Sequence, residues 1–170
     1  MLAMYNDSVI SEQKYFEKRG NIYTIFDQRK VPSDCSFVQD KISKSNQGVV
    51  RGFHGDDKTW KLITCLQGTV KLVTYNVDTD VKKVYFLDGD NPEATSVLVP
   101  PRTLNAHQCL SQSCIFHYKW SEFYTSPEDQ WSVYYDDPDI CPEWDDKLHV
   151  VVSERDKKSQ SLRELKSNVK

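Results

Sequence analysis

The sequence lacks the features that mark membrane proteins, secreted disulfide-bonded proteins and zinc proteins. No apolar run approaches the roughly 20 residues that span a bilayer, and residues 1–10 have neither the basic head nor the apolar core of a signal peptide. The five cysteines are scattered, odd in number and without a C-x-x-C pair, so neither zinc spacing nor a disulfide framework is predicted. We therefore expect free thiols, no membrane partner and a cytoplasmic location.

An excess of positive charge is also missing. Lysine and arginine total 22 against 25 aspartate and glutamate residues, which gives a net charge of −3. Because proteins that bind nucleic acid normally carry a basic face, this balance argues against a nucleic-acid partner. A chain of 170 residues, 38% of them hydrophobic, is long enough to bury a core, and we predict a single domain over residues 1–170.

Helix signals occur only near the ends of the chain, and short strand-like runs fill the rest. Turn signals at 88–92, 100–101 and 111–113 separate these runs, and regular short runs of this kind are typical of a β-sandwich or barrel. The predicted strands are 22–26, 36–40, 49–53, 61–66, 69–77, 82–87, 96–99, 104–110 and 114–120.

Three local features complete this pattern. The pair Gln67-Gly68 lies between two β-branched runs and predicts a hairpin. The polar run 41–47 ends at a glycine and predicts a loop. Residues 153–170 are polar with Leu162 and Leu165 three positions apart, which predicts a short C-terminal helix.

His54 is the strongest candidate for a general base. It ends one predicted strand shortly before Lys61 opens the next, so the two side chains are expected to project from neighbouring strands into one cavity. An imidazole with an ordinary pKa near 6.5 is poised to exchange protons at neutral pH. The alternative is a hydrogen-bonded core histidine. None of the four histidines forms an H-x-H pair, so no metal site is predicted.

Several other side chains have both a structural and a chemical interpretation. Lys61 is either a surface lysine with a buried stem or a cation that stabilises an enolate oxygen. Tyr118 and Tyr124 are either core aromatics or a phenol acid and one wall of a site, and their spacing on a strand would place them on one face. Arg19 is either a solvated turn charge or a phosphate contact.

Between residues 19 and 156 the sequence contains a series of short, separated motifs, and their combination in this order is specific. They are Phe37-Val38-Gln39-Asp40, Val50-Arg51-Gly52-Phe53-His54, Lys61-Leu62-Ile63-Thr64-Cys65, Val99-Pro100-Pro101, Ala106-His107, Tyr118-Lys119 with Tyr124, Asp136-Asp137-Pro138-Asp139-Ile140, Glu143-Trp144 and Ser153-Glu154-Arg155-Asp156. In this order they resemble the dTDP-4-dehydrorhamnose 3,5-epimerase family. The resemblance implies a mainly β cupin, which is a double-stranded β-helix (jelly-roll) barrel, with short terminal helices.

The same resemblance implies an activity and a set of site residues. It implies a homodimer, without metal or other cofactor, that epimerises a 4-keto sugar carried on a nucleoside diphosphate. The matched catalytic residues are His54 as base, Asp156 as its carboxylate partner, Tyr118 as the acid on the opposite face and Lys61 beside the developing oxyanion. The matched substrate-binding residues are Arg51, Arg19, Gln39, His107 and Tyr124, with Arg19 reaching the site of the second subunit.

Departures from the family pattern concern the substrate rather than the proton chemistry. The usual Q-D-N-H reads Gln39-Asp40-Lys41-Ile42, and the usual A-H-G-F reads Ala106-His107-Gln108-Cys109. The short loop 55–60 is similar to relatives that act on GDP-linked 4-keto heptoses. The nucleotide (dTDP or GDP), the sugar length and the inverted carbon (C3, C5 or both) therefore stay open. The alternatives are a 3,4-ketoisomerase, a non-catalytic sugar-binding cupin and a metal-dependent oxygenase.

Overall fold

The computed structural model describes residues 5–169, which contain thirteen strands and two short helices. The strands are β1 (Ser8–Gln13), β2 (Tyr15–Glu17), β3 (Gly20–Ile22), β4 (Gln39–Asn46), β5 (Val49–Gly55), β6 (Lys61–Gln67), β7 (Thr69–Asn76), β8 (Lys82–Asp88), β9 (Glu93–Val99), β10 (Thr103–Cys109), β11 (Ser113–Trp120), β12 (Trp131–Ser132) and β13 (Val151–Val152). The helices are α1 (Glu154–Lys157) and α2 (Leu162–Asn168).

Two sheets packed face to face form the barrel. The first has the order β1-β9-β6-β11-β4, and the second has the order β12-β5-β10-β7-β8. All of these neighbours are antiparallel, whereas β13 adds to β5 in parallel, and β2 and β3 form a separate hairpin. The mainly β barrel that the sequence predicts is confirmed, with both helices near the C-terminal end of the chain.

The space between the sheets is apolar at one end and polar at the other. Ile63 and Val97 of the first sheet meet Leu72 and Leu87 of the second, and all four are buried. Because alternate residues of a strand share a face, Lys61 points inward from β6 just as Ile63 does. Inward polar side chains at the same ends of the strands leave a cavity there instead of a filled core.

Helix α2 covers the outer face of the second sheet. Its leucines, Leu162 and Leu165, lie three residues apart and therefore on one side of the helix, where they are buried against Phe53 of β5. Ser161 and Glu164 form a reciprocal capping box that satisfies the first backbone N–H groups. Within residues 5–169, neither helix is long and apolar enough to cross a bilayer.

The hairpin predicted at Gln67-Gly68 is wrong. Strand β6 pairs with β9 and β11, whereas β7 pairs with β8 and β10, so the chain crosses at this point from one sheet to the other. Gly68 has φ +73, and a Cβ there would collide with the carbonyl oxygen of Ser113. The local residues correctly mark a turn, but they carry no information on which strands pair beyond it.

Other boundaries also differ from the sequence predictions. The run 41–47, predicted as a loop, belongs to β4, a sheet-edge strand whose alternate side chains are exposed; a polar strand is stable there because one face meets solvent. The strand predicted at 22–26 is confined to Gly20–Ile22. The predicted C-terminal helix is divided into α1 and α2 by residues 158–161.

Candidate active site

A cavity of about 520 Å³ lies between the two sheets at the polar end of the barrel, within the size range of small-molecule sites. His54, Lys61, Tyr118 and Asp156 all line it. His54 comes from β5 of the second sheet and Lys61 from β6 of the first, so the two project from facing sheets and not from neighbouring strands as predicted. The barrel thereby surrounds the cavity with groups from both sides.

His54 and Asp156 form a hydrogen-bonded pair although 102 positions separate them in the chain. Nε2 of His54 lies 2.7 Å from Oδ1 of Asp156, which leaves Nδ1 free to accept a proton. Ser153 caps α1 by accepting a hydrogen bond from the Asp156 N–H, and the Gly52 N–H donates to Oδ2 at 3.3 Å. Gly52 has φ +120, and a Cβ there would lie 2.6 Å from Cβ of Ala106, so this close approach requires glycine.

Burial and the pairing act in opposite directions on both groups. Burial would raise the pKa of Asp156, but the hydrogen bond and charge of His54 together with the Gly52 N–H hold that pKa below its ordinary value. Burial lowers the pKa of His54 below 6.5, and the charges of Arg155 and Lys61 add to this lowering, against the opposing pull of Asp156. At neutral pH the pair is therefore a carboxylate beside a neutral imidazole, which is the form that a base requires.

Lys61 is a buried cation, with 2% of its surface exposed. Its Nζ donates to Oδ1 of Asn105 at 2.9 Å and to the carbonyl oxygen of His54 at 3.3 Å. Burial lowers its pKa to about 8, against the opposing charge of Asp56, so the ammonium stays protonated at neutral pH. Because no carboxylate among residues 5–169 forms an ion pair with it, its charge is available to an anionic oxygen in the cavity.

Tyr118 faces the cavity from β11 of the first sheet, opposite the sheet that carries His54. Burial raises the pKa of its phenol to about 12, against the lowering effect of Ser43 and Arg51. The phenol is therefore neutral over the physiological range and holds a proton that it can donate. His54 and Tyr118 thus present a neutral imidazole and a protonated phenol to one cavity from opposite walls.

The predicted binding residues Arg51 and Tyr124 line the cavity, and Gln39 supports it. Nε of Arg51 donates to the Ser45 hydroxyl at 3.0 Å, and Oε1 of Gln39 accepts the backbone N–H of Tyr124 at 2.9 Å. Tyr124 does not share a strand face with Tyr118, since β11 ends at Trp120. It returns to the cavity in the following loop and packs on Trp120 with ring centroids 5.1 Å apart.

Two predicted binding residues lie elsewhere in this chain. His107 is fully buried behind the cavity, stacked on Phe116 at 3.9 Å, and neither ring nitrogen has a hydrogen-bond partner among the described residues. Burial lowers its pKa to about 3, so it is neutral. Arg19 lies at the exposed β2–β3 turn, paired with Glu17 and away from the cavity. The structure of one chain therefore does not bring Arg19 to the site.

Sequence reasoning missed several residues that line the cavity: Lys41, Ser43, Asn105, Trp120, Gln130 and Arg155. The prediction of a loop at 41–47 concealed the inward alternation of the first two. Asn105 lies where the pairing of β10 with β5 shifts register, and no local sequence pattern predicts such a shift. Among residues 5–169, no cluster of three histidine, cysteine or acidic side chains could hold a metal ion.

The fold and the cavity together define a class of protein. A jelly-roll barrel surrounds one cavity that contains a carboxylate-backed imidazole, a buried ammonium and a neutral phenol. Such a protein is an acid–base enzyme suited to moving protons beside a carbonyl group, because the three groups can serve as base, oxyanion partner and acid.

Comparison with known proteins identifies the family. The sequence profile of the dTDP-4-dehydrorhamnose 3,5-epimerase family matches residues 3–164, so the chain belongs to that family of isomerases. It is 27% identical to the dTDP-4-dehydrorhamnose 3,5-epimerase of Methanothermobacter thermautotrophicus, over 92% of this chain and 89% of that protein. It is 28% identical to the Escherichia coli K12 enzyme of the same name, over 94% and 91%.

A solved structure agrees with this assignment. The dTDP-6-deoxy-D-glucose-3,5-epimerase of Legionella pneumophila, in complex with dTDP-4-keto-L-rhamnose, superposes with a TM-score of 0.83 at 26% identity, covering 92% of this chain and 88% of that one. The family resemblance, the enzyme class and the cupin fold predicted from the sequence are confirmed.

Proposed function

We propose that the chain, acting as one domain over residues 1–170, inverts C3, C5 or both in a 4-keto sugar linked to a nucleoside diphosphate. The observation that carries this proposal is the 2.7 Å contact between His54 and Asp156 in a cavity shared with Lys61 and Tyr118. Family membership supports the same reaction. The sugar ketone makes its neighbouring C–H bonds acidic, so the chemistry needs no metal or organic cofactor.

The proposed reaction has two proton transfers. Nδ1 of His54 takes a proton from the carbon beside the C4 ketone, and the electron pair of the broken C–H bond forms an enolate. Lys61 stabilises the enolate oxygen, and Asp156 stabilises the imidazolium. Tyr118 then gives its phenolic proton to the same carbon from the opposite face. The phenolate that remains recovers a proton from solvent, and the imidazolium of His54 releases its proton to solvent. A positioned acid–base pair contributes roughly 10²–10⁴-fold, so stabilisation of the enolate must supply much of the remaining acceleration.

Arg51 is the proposed diphosphate contact, because a guanidinium forks onto phosphate oxygens. Tyr124, held through its backbone by Gln39, offers an aromatic wall to the nucleotide or sugar, and His107 supports the inner wall. The Legionella relative binds a dTDP-linked sugar. For this chain, the candidate nucleotides of the substrate are dTDP and GDP. Biosynthesis of deoxysugars or surface polysaccharides is the proposed setting, and the cytoplasmic location stays a prediction.

A homodimer is proposed from the β2–β3 hairpin. Tyr15, Phe16 and Ile22 are 69%, 58% and 73% exposed, and apolar side chains grouped in this way are typical of an interaction surface. A second copy of the chain is the proposed occupant, since the family resemblance implies a dimer and Arg19 lies at the tip of the same hairpin. In that arrangement Arg19 of one subunit would reach the cavity of the second subunit. Within a single chain, Arg19 lies away from the cavity.

Exchange of carbon-bound hydrogen tests the proposed function. Incubation of dTDP- and GDP-linked 4-keto sugars with the enzyme in D₂O should introduce deuterium at C3, C5 or both, as read by mass spectrometry and NMR. His54→Asn should fold normally and stop the exchange, whereas His149→Asn, an exposed histidine outside the site, should leave it unchanged.

The same spectra separate the alternatives. A ketone that moves to C3 identifies a ketoisomerase, and binding without any exchange identifies a sugar-binding cupin. Absence of deuterium uptake with both nucleotides would refute the epimerase proposal, and undiminished exchange by His54→Asn would assign the base to another residue.

A further inference from the structure

The cavity contains polar groups that the proton chemistry does not use. Lys41 and Ser43 point inward from β4, and Trp120 and Gln130 stand beside them. The Trp120 indole N–H and the Gln130 amide nitrogen are buried without a hydrogen-bond partner among residues 5–169, and Trp120 is only 6% exposed. Buried polar groups are normally satisfied, so two unpartnered donors beside one space indicate a polar ligand there.

Lys41 is the only cation on the inward face of β4 in the described chain. It lies directly across from Tyr118 in the pairing of β4 with β11, and directly opposed side chains on one sheet face are neighbours. Its Nζ lies 3.4 Å from the ring centroid of Tyr124 and 5.3 Å from that of Trp120. No carboxylate among residues 5–169 pairs with it, and burial lowers its pKa.

The position of Lys41 relative to Lys61 decides which part of the substrate it can meet. Nζ of Lys61 lies 5.0 Å from the same Trp120 ring, so both ammonium groups border one indole. Arg51, by contrast, stands on β5 in the facing sheet and is held by Ser45. If Lys61 meets the ketone oxygen, then Lys41 stands over the sugar and not over the diphosphate.

We propose that Lys41 is a specificity-determining residue that donates a hydrogen bond to a sugar hydroxyl, with Trp120, Ser43 and Gln130 completing a polar subsite around that sugar. This inference rests on the proposed function, because it takes the ketone to lie at Lys61. The subsite selects substrates with a hydroxyl group on the side of the ring that faces Tyr124. An apolar substituent at that place would leave the ammonium and the buried donors without partners.

Binding of stable analogues tests the subsite without turnover. Calorimetry with dTDP, dTDP-glucose, GDP and GDP-mannose measures the contribution of the sugar separately from that of the nucleotide. Lys41→Met should weaken binding of the nucleotide sugar about tenfold or more, as expected for a lost hydrogen bond to a charged group, and change binding of the free nucleotide less than about twofold. Lys41→Arg should restore part of the loss.

Arg51→Met is the matched control, and it should weaken the free nucleotide and the nucleotide sugar alike. Equal weakening of both ligands by Lys41→Met would make Lys41 a diphosphate contact and overturn the inference, as would unchanged binding of both. In either case deuterium exchange by the wild-type enzyme would leave the proposed function intact. Failure of the wild-type protein to bind any nucleotide sugar would instead refute the proposed function and the inference together.

Discussion

Replacement of Asp156 by asparagine isolates the contribution of the carboxylate behind the base. The substitution preserves the size of the side chain and can keep the contact to Nε2 of His54, but it removes the negative charge. In the wild-type protein that charge lies against the imidazole at 2.7 Å, and it would face the imidazolium of the proposed reaction. With charge centres about 4 Å apart and an effective dielectric constant of about 20, the lost stabilisation is about 4 kcal/mol, which corresponds to a rate reduction of about 10³-fold.

The assay is the initial rate of deuterium incorporation into a 4-keto nucleotide sugar, measured over a range of pH. Asp156→Asn also removes the interaction that raises the pKa of His54, so that pKa falls further. The acidic limb of the rate profile should therefore move to lower pH while the maximum rate falls. Glu154→Gln is the matched control, because Glu154 lies on the same helix but its carboxylate is exposed and paired with the surface lysines Lys157 and Lys158.

Two results would refute this reasoning. An Asp156→Asn protein with a normal circular dichroism spectrum and a rate within about tenfold of wild type would show that the carboxylate does not stabilise the imidazolium. An acidic limb that does not move would show that its charge does not control the protonation of His54.

Two further predictions follow from Lys61 and Gly52. The pKa of Lys61 is about 8, and the ammonium must stay protonated to stabilise the enolate, so kcat/KM should fall as pH rises through about 8. Lys61→Arg should lower the rate but move this basic limb of the pH profile to higher pH. A basic limb that Lys61→Arg leaves unchanged would belong to another group. In urea denaturation, Gly52→Ala should lower the free energy of unfolding by about 1–3 kcal/mol more than Gly20→Ala does. Both glycines have positive φ, but of the two only a Cβ at position 52 meets backbone and side-chain atoms. Equal losses of unfolding free energy would show that the contact with Ala106 relaxes freely.

The sequence predicted which side chains share one cavity better than it predicted their arrangement. Motif order placed His54, Lys61, Tyr118 and Asp156 in one site, and all four line the cavity. It did not show that His54 and Lys61 belong to facing sheets, because the loop 56–60 between β5 and β6 looks alike whether the strands beside it pair or separate. Sheet membership depends on contacts between distant strands, and these are absent from any local pattern.

The missed residues have a similar cause. Lys41 lies on a polar edge strand, and polar edge strands resemble loops because only half of their side chains need to be buried. Tyr124 lies beyond the end of β11 and reaches the cavity through a loop whose path is fixed by Gln39. Such positions follow from the tertiary fold and have no periodic signal of their own.

The apolar end of the barrel also controls the chemistry at the polar end. Residues such as Ile63, Leu72 and Phe116 fill the space below the cavity, and the same packing removes water from Lys61 and Tyr118. That removal lowers the pKa of the lysine to about 8 and raises the pKa of the phenol to about 12. Below about pH 8 both groups keep their protons, so a cationic lysine and a neutral phenol coexist in the cavity. The core that stabilises the fold therefore also sets the protonation states on which proton transfer depends.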